Sequence, residues 1–233
     1  MKPNGIRVRR VTEEWQRREA LSVLRATYVD EKGWVPDAER VFPATEVGER
    51  MVSWFLALAD GEPAGVIRVL YELPLDEYAR YDLKPIGGEF NLALLREARV
   101  AEIGRFAVVP AYRRNLLVAA ELIGAASAET VRRGYTHYIT DVFEGEQHSP
   151  YLFHTRVLGF RPIATHDTGE LNCRHRRITM LLDLDAAARR LATSQGWIYR
   201  YLRSRLAPAT ASPWQEQEGR VDAPVAVPIA SGA

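Results

Sequence analysis

The stretch that decides the fold is Ala-Glu-Ile-Gly-Arg-Phe-Ala-Val-Val-Pro-Ala-Tyr-Arg-Arg, residues 101–114. Its first nine residues predict a strand that carries two charged side chains, Glu102 and Arg105, among apolar ones. A proline ends the strand, and Arg113 and Arg114 precede a long apolar helix. Unpaired N–H groups at a helix N-terminus bind phosphate well, so this segment predicts a site for a phosphate-bearing ligand.

Acyl thioester donors carry phosphate on a pantetheine arm, so the same segment predicts acyl transfer. Amide formation requires an unprotonated amine, and a free α-amino group, with a pKa of about 8, is mostly protonated at neutral pH. A carboxylate can accept this proton directly or through water. We predict Glu102 for this role; the alternative is that it only pairs with an arginine.

The chain has 233 residues, of which 47% are hydrophobic, enough for one sizeable core. We predict one domain over 1–206 and a disordered tail over 207–233, where Pro, Ala, Ser and Val dominate. Cys173 is the single cysteine, which excludes an internal disulfide and favours a reducing compartment. No signal peptide or apolar run of about 20 residues is found, so we expect a cytoplasmic protein without a transmembrane segment.

The net charge of +1 gives no general reason to expect a nucleic-acid partner. Its distribution is uneven, because residues 28–102 hold fifteen Asp and Glu against eight Lys and Arg. Residues 171–206 hold eight Arg against two Asp. The basic C-terminal segment indicates either a negatively charged partner or a solvated helix face.

The histidines show neither a helical His-x-x-x-His pair nor a tight zinc pattern, and Cys173-x-His175 is too short to bind a metal alone. We therefore predict no metal. No Gly-x-Ser-x-Gly occurs, so a Ser-His-Asp triad is not expected. Tyr151 and Thr155 are the hydroxyls near the predicted site, and the acid that protonates a leaving thiol stays unassigned.

Apolar periodicity predicts the element order β-α-β-β-(α)-β-α-β-α-β-β, with a hairpin turn at 60–63. This order predicts an α/β fold with a mixed sheet, an antiparallel hairpin and a right-handed β-α-β crossover. The predicted strands are 6–11, 51–59, 64–71, 101–109, 136–143, 160–166 and 176–184, and the predicted helices are 13–29, 92–98, 115–133, 148–158 and 185–206.

The order resembles the GNAT fold of acyl-CoA N-acyltransferases, which implies a mixed central sheet flanked by helices. Residues 109–114 resemble the donor-binding turn of that family, and Leu158-Gly159-Phe160 resembles its late Leu-Gly-Phe turn. One feature departs from the pattern. Acetyl-CoA members follow the first arginine with a glycine-rich loop, whereas residues 114–118 contain no glycine. Side chains there would crowd a CoA pyrophosphate, which disfavours acetyl-CoA as the donor.

A narrower resemblance rests on Arg25-x-x-Tyr28, Gly33-Trp34, Arg68 within 65–70, and residues 102–106. These are similar to the LuxI-type acyl-homoserine-lactone synthases and the related FeeM-type N-acyl amino acid synthases. The resemblance implies transfer of a fatty acyl group from acyl carrier protein to an amine. The turns at 109–114 and 158–160 are more similar to the amino acid synthases.

On the acceptor side, Glu46 and Glu49 stand where the lactone synthases have two aspartates, which leaves the acceptor open. Arg68 lies in an apolar strand and needs a carboxylate partner; we predict that it organises the acceptor pocket or binds the acceptor carboxylate. We expect the remaining acceptor-side residues to order a loop over the acceptor or line its pocket. They are Arg25, Tyr28, Trp34 and Arg105.

On the donor side, the resemblance implies a splayed strand that directs the N–H near Phe106 or Ala107 at the thioester oxygen. Val108, Arg113 and Arg114 would bind the pantetheine arm and its phosphate. Arg105 is three residues from Glu102, which puts the two on opposite faces of a regular strand unless a bulge intervenes.

No permanently bound cofactor is expected; the co-substrate would be acyl-acyl carrier protein or acyl-CoA, and the acceptor a small-molecule amine. Acyl carrier proteins are acidic, so the basic C-terminal helix is a predicted docking face. Three alternatives stay open: a lactone synthase that uses S-adenosylmethionine, an ordinary N-acetyltransferase, and a non-catalytic binding module. The predicted docking arginines are Arg189, Arg190, Arg200, Arg203 and Arg205.

Overall fold

The computed structural model describes residues 5–72, 74–87 and 92–210, except for the side chains of Leu94 and of 205–210. In this part of the chain, eight strands form one mixed sheet. The strands are β1 (Arg7–Arg10), β2 (Val52–Ala59), β3 (Glu62–Leu70), β4 (Lys84–Pro85), β5 (Val100–Val108), β6 (His137–Phe143), β7 (Arg161–His166) and β8 (Arg177–Asp183). Their order across the sheet is β1-β2-β3-β5-β6-β8-β7-β4.

Five α-helices and two π-helices accompany these strands in the described residues. The α-helices are α1 (Glu14–Leu24), α2 (Pro74–Tyr78), α3 (Leu116–Arg132), α4 (Leu184–Thr193) and α5 (Trp197–Thr210). The π-helices are Arg25–Glu31 and Phe153–Leu158, and short 3₁₀ turns lie at Ala38–Arg40, Ala44–Glu46, Leu92–Leu95 and Pro110–Tyr112. The mixed sheet flanked by helices that the sequence predicts is confirmed.

Alternation along the strands places the two faces of the sheet against different helices. On β2, Trp54 and Leu56 pack in the cluster that contains α1, whereas Phe55 and Ala57 pack with α3 and α5. On β3, Ile67 and Val69 belong to the α3 face. The even-numbered residues of β3 therefore face α1, and Arg68 is one of them.

β5 contains the feature that positions the site. Opposite β3, Val66 pairs with Ala107 and Arg68 pairs with Gly104, so β5 has one extra residue in this interval. This is a β-bulge, and Arg105 within it has a left-handed φ of 51°. The extra residue reverses the alternation, so Glu102 and Ala107 lie on the same face although five positions separate them.

The sheet also opens beyond this point. β5 and β6 pair in parallel only from Val100 with His137 to Glu102 with Ile139, although β5 continues for six more residues. After Glu102 the two strands diverge, and the gap between them is bordered by the remainder of β5.

Several element predictions need correction. The predicted single helix over 185–206 is two helices, α4 and α5, separated by residues 194–196, and Gly196 has a left-handed φ of 113°. The predicted helix over 13–29 changes from α to π at Arg25, and the short strand β4 was not predicted.

At the C-terminal end the helical backbone continues to Thr210, past the predicted domain boundary at 206, and the rest of the predicted disordered tail lies outside the described residues. In the described part of the chain, no helix is both long and apolar enough to cross a bilayer.

Candidate active site

Two cavities meet where β5 leaves β6. The first, of about 120 Å³, is lined by many charged groups and is called the polar cavity. The second, of about 330 Å³, runs along the end of β5 to the start of α3 and is called the donor groove. Because they share part of their walls, a ligand in one can meet a ligand in the other. The shared residues are Tyr28, Trp34, Phe106, Glu146, Ser149 and Pro150.

Glu102 and Arg68 form the central ion pair of the polar cavity. The Arg68 Nη2 donates to Glu102 Oε1 at 2.8 Å, and Arg68 Nη1 lies 3.8 Å from Glu46 Oε1. Burial alone would lower the pKa of Arg68, but the carboxylates of Glu102 and Glu46 raise it, so the guanidinium stays charged. Among the described residues, Glu102 Oε2 has no hydrogen-bond donor, which leaves this oxygen available to a ligand.

Glu46 supports this pair from behind. Its Oε2 accepts a hydrogen bond of 2.6 Å from the Trp54 indole, and its Oε1 faces Arg68. Glu46 is not among the residues that line the polar cavity. Its contacts in the structure are therefore with Arg68 and Trp54, behind the lining of the polar cavity.

The bulge brings Arg105 to the polar cavity together with Glu102, which resolves their odd spacing. The Arg105 guanidinium is ion-paired with Glu170, from the loop between β7 and β8. Phe106 follows the bulge and borders both cavities, so the backbone around it lies where the two ligands would meet.

The first π-helix and the turn after it cover the cavities. Tyr28 and Trp34 are in edge contact with ring centroids 5.2 Å apart, and Trp34 lies 4.7 Å from the ring of Phe143 on β6. Burial raises the pKa of Tyr28 although Arg105 and Arg68 oppose this shift. Lys32 is ion-paired with Glu146, which joins the segment that covers the cavities to the loop after β6.

Arg113 points into the donor groove. Its Nε donates to the Val108 carbonyl at 3.1 Å, and both Nη atoms bind the carboxylate of Glu31. This pairing lowers the pKa of Glu31. The Glu31 carboxylate therefore binds the Arg113 guanidinium, for which the sequence predicts a phosphate partner. A phosphate-bearing donor would have to displace this carboxylate from Arg113.

Besides Glu46, three further predicted site residues lie outside both cavities. Arg25, Glu49 and Arg114 have exposed side chains and are not among the described lining residues. Glu49 Oε1 accepts from the backbone N–H of Arg50 instead. Side-chain direction explains why these residues lie outside the cavities, because residues adjacent in a turn, such as Arg113 and Arg114, point in different directions.

Four carboxylates that the sequence reasoning missed line the polar cavity: Glu146 and Glu170, described above, and Glu77 and Asp141. The pKa of Glu77, on α2, is raised by burial and by the nearby carboxylates of Glu102 and Glu170. Asp141, on β6, has both oxygens engaged, by Thr179 Oγ1 at 2.8 Å and by His166 Nε2 at 3.0 Å. The raised pKa of Glu77 and the convergence of strands at Asp141 mark these two groups, and neither feature can be read from a local motif.

His154 also lines the polar cavity and was not predicted. It is 3% exposed, its Nδ1 lies 3.0 Å from the Pro150 carbonyl, and burial lowers its pKa to about 4. The neighbouring Thr155 hydroxyl donates to the Tyr151 carbonyl at 2.8 Å, so it is engaged within its own helix. In the described residues, no group of three His, Cys, Asp or Glu is arranged to bind a metal ion.

Comparison with known proteins agrees with this geometry. The profile of the Acetyltransferase (GNAT) family matches residues 12–160, more than half of the chain, so the protein belongs to the GNAT family. Comparison with curated proteins gives no match. The protein is therefore an acyltransferase, of a family that uses acyl-CoA as co-substrate and small-molecule amines as acceptors.

Solved structures share the fold at low sequence identity. FeeM, an N-acyl amino acid synthase from uncultured soil microbes, superposes with a TM-score of 0.60 at 20% identity, over 79% of this chain and 94% of that one. Aminoglycoside 6'-acetyltransferase type Ii gives a TM-score of 0.54 at 16% identity, covering 76% and 97%. The ribosomal-protein-S18-alanine N-acetyltransferase from Escherichia coli gives 0.53 at 16%, covering 77% and 94%.

Proposed function

We propose that this GNAT acyltransferase moves a fatty acyl group from acyl carrier protein to the amine of an amino acid. The observation that carries the proposal is the junction at Phe106, where a charged cavity meets a groove with apolar walls. A thioester in the groove and an amine beside Glu102 would place the reacting atoms together.

The entrance of α3 favours a donor other than acetyl-CoA. Asn115 caps the helix by accepting from the Leu117 N–H, and the Leu116 side chain is 43% exposed and lines the groove. An apolar side chain at this place obstructs a pyrophosphate but suits an acyl chain or a pantetheine arm. The likeness to FeeM, an N-acyl amino acid synthase, supports an amino acid as the acceptor.

The reaction needs one base and one oxyanion donor. Glu102, through its free Oε2, takes a proton from the acceptor ammonium, directly or through water, and the neutral nitrogen attacks the thioester carbonyl. A backbone N–H near Phe106 or Ala107 stabilises the negative oxygen that forms. The N–C bond forms, the C–S bond breaks, and the nitrogen loses its second proton while the thiolate takes one up and leaves as a thiol, so the step releases one net proton, the one that Glu102 accepted.

The direct test is to incubate the protein with long-chain acyl-acyl carrier protein and a mixture of amino acids and to identify products by mass spectrometry. We expect an N-acyl amino acid. A product only with S-adenosylmethionine would indicate a lactone synthase, and a product only from acetyl-CoA an ordinary acetyltransferase. Ligand binding without any product would indicate a non-catalytic binding module.

Glu102→Gln is the matched variant, because it keeps the shape of the side chain and removes the base. We expect kcat/KM to fall roughly 100-fold or more. Glu62→Gln, at the exposed start of β3, is the control and should leave the rate unchanged. An undiminished rate in Glu102→Gln would exclude this glutamate as the base.

A further inference from the structure

Arg177 is a buried guanidinium that lines the polar cavity and is not ion-paired with any carboxylate of the described residues. It begins β8 and is 4% exposed. Its Nη1 donates to the Asp167 carbonyl at 2.9 Å and its Nη2 to the Leu171 carbonyl at 2.7 Å. Both acceptors are neutral, and in the described part of the chain no carboxylate lies within 4.0 Å of this side chain.

The other two arginines of the cavity differ in this respect. Arg68 is paired with Glu102 and Arg105 with Glu170. A buried charge without a partner is costly, so Arg177 is the cation that an incoming anion would stabilise. A guanidinium has five N–H donors, and two of them are used, which leaves three for a planar acceptor such as a carboxylate.

The residues around Arg177 fix the position of its guanidinium. Gly169 stands directly against the guanidinium, and a Cβ at this position would collide with its Nε and Cζ atoms. The ring of Phe143 lies 5.2 Å from Cζ on the neighbouring strand. Asp141, which faces the cavity two positions away on β6, has both oxygens engaged by Thr179 and His166 and does not neutralise the arginine.

We propose that Arg177 binds the carboxylate of the acceptor, so that the acceptor is an amino acid held by both of its charged ends. This rests on the proposed function. Glu102 pairs with Ile139 of β6 and Arg177 pairs with Phe143 of the same strand, so their backbones lie about 10 Å apart across the sheet and about 13 Å apart along it. Both side chains line the polar cavity, so an acceptor whose amine meets Glu102 can direct a carboxylate on the same small molecule toward Arg177.

The test compares amino acids with the amines that lack only the carboxylate. The pairs are L-leucine with isoamylamine, L-phenylalanine with phenethylamine, and L-lysine with cadaverine. With the same acyl donor, the wild type should show a kcat/KM roughly 10- to 100-fold higher for the amino acid of the preferred pair. Arg177→Gln should bring this ratio close to one, and Arg177→Lys should restore part of it.

Arg176→Gln is the matched control, because the neighbouring side chain is exposed and faces Glu144 and Asp167 outside the cavity. It should keep the wild-type ratio. If Arg177→Gln does not fold, the selectivity of the wild type still decides, since equal use of amino acid and amine would overturn the assignment of Arg177 while acyl transfer to amines stands.

Calorimetric binding provides a readout without turnover. The wild type should bind the preferred amino acid and bind its matched amine at least 10-fold more weakly. If no acceptor of any pair is acylated, the proposed function fails; selective binding of the amino acid would still support the carboxylate site. Absence of both binding and turnover would overturn both.

Discussion

His154 shows how burial fixes the charge of one residue beside the proposed reaction centre. The rings of Phe160, Phe153 and Phe106 lie 4.9–6.4 Å from it, and its Nδ1 faces a carbonyl, so Nδ1 carries the hydrogen. With a pKa of about 4, the imidazole is neutral at neutral pH. Its unprotonated Nε2 cannot donate a proton, so a neutral His154 does not protonate the leaving thiol through this atom.

The lowered pKa predicts a pH-dependent stability. The unfolded state, with a histidine pKa near about 6.5, binds more protons than the folded state between pH 6.5 and 4, so the free energy of unfolding falls as the pH falls through this window. The loss is about 3 kcal/mol for this shift. Urea unfolding of wild type and His154→Gln between pH 4 and 7 should show that the variant lacks this part of the slope.

The control for this experiment is His175→Gln, at an exposed position. It should keep the wild-type slope, because replacing this exposed side chain leaves the buried His154 imidazole in place. Parallel curves for wild type and His154→Gln would contradict the burial of a neutral imidazole at this site.

At the scale of elements, the contact between the β3–β5 pair and α3 depends on a glycine. Gly65 lies opposite Val108, and a Cβ there would lie 2.9 Å from the Ala107 carbonyl oxygen and 3.0 Å from Leu122 Cδ1. The close approach holds the end of β5, whose Ala107 and Val108 border the donor groove, against the helix.

Gly65→Ala should therefore destabilise the protein by about 1–3 kcal/mol, as overpacking of a filled core does, and should raise the KM for the acyl donor. Chemical denaturation and donor titration measure the two effects. In a Leu122→Ala background the cost should be smaller, since one of the colliding atoms is gone. An equally stable Gly65→Ala protein would show that strand and helix separate without penalty.

At the scale of the whole molecule, the basic C-terminal region lies beside the donor side of the fold. Tyr199 on α5 donates to the Arg156 carbonyl of the second π-helix, and Tyr201 binds Glu121 on α3. Both partner elements contribute residues to the donor groove. Arg190 donates to the Arg156 carbonyl and Arg203 to the Ala192 carbonyl, whereas the exposed Arg189 and Arg200 have no such bond to a described residue, and the Arg205 side chain lies outside the described part of the chain.

We therefore expect the double change Arg189→Glu and Arg200→Glu to raise the KM for acyl-acyl carrier protein roughly 10-fold at low salt, with less effect at high salt. Turnover with acyl-CoA, which has no carrier-protein surface, should change little. The control reverses the exposed Arg7 and Arg18 on β1 and α1. An unaltered KM for the carrier protein would exclude this face as its docking surface.

The sequence by itself determined the order of seven of the eight described strands and of the long helices between them, because period-2 and period-3.6 apolar patterns and the turn residues are local. It also located Glu102, Arg68, Tyr28, Trp34 and Arg113, which do line the two cavities or their central ion pair. These residues lie within or beside motifs whose spacing can be read along the chain.

Tertiary structure alone decided the rest. The bulge at Arg105 depends on pairing with β3, and it places Glu102 and Arg105 in one cavity. Glu77, Asp141 and Arg177 come from three separate elements and converge through strand order and register. Such convergence is non-local, so no sequence motif around any one of these residues indicates it. The position of Glu49 outside both cavities likewise follows from the direction that its turn gives to the side chain.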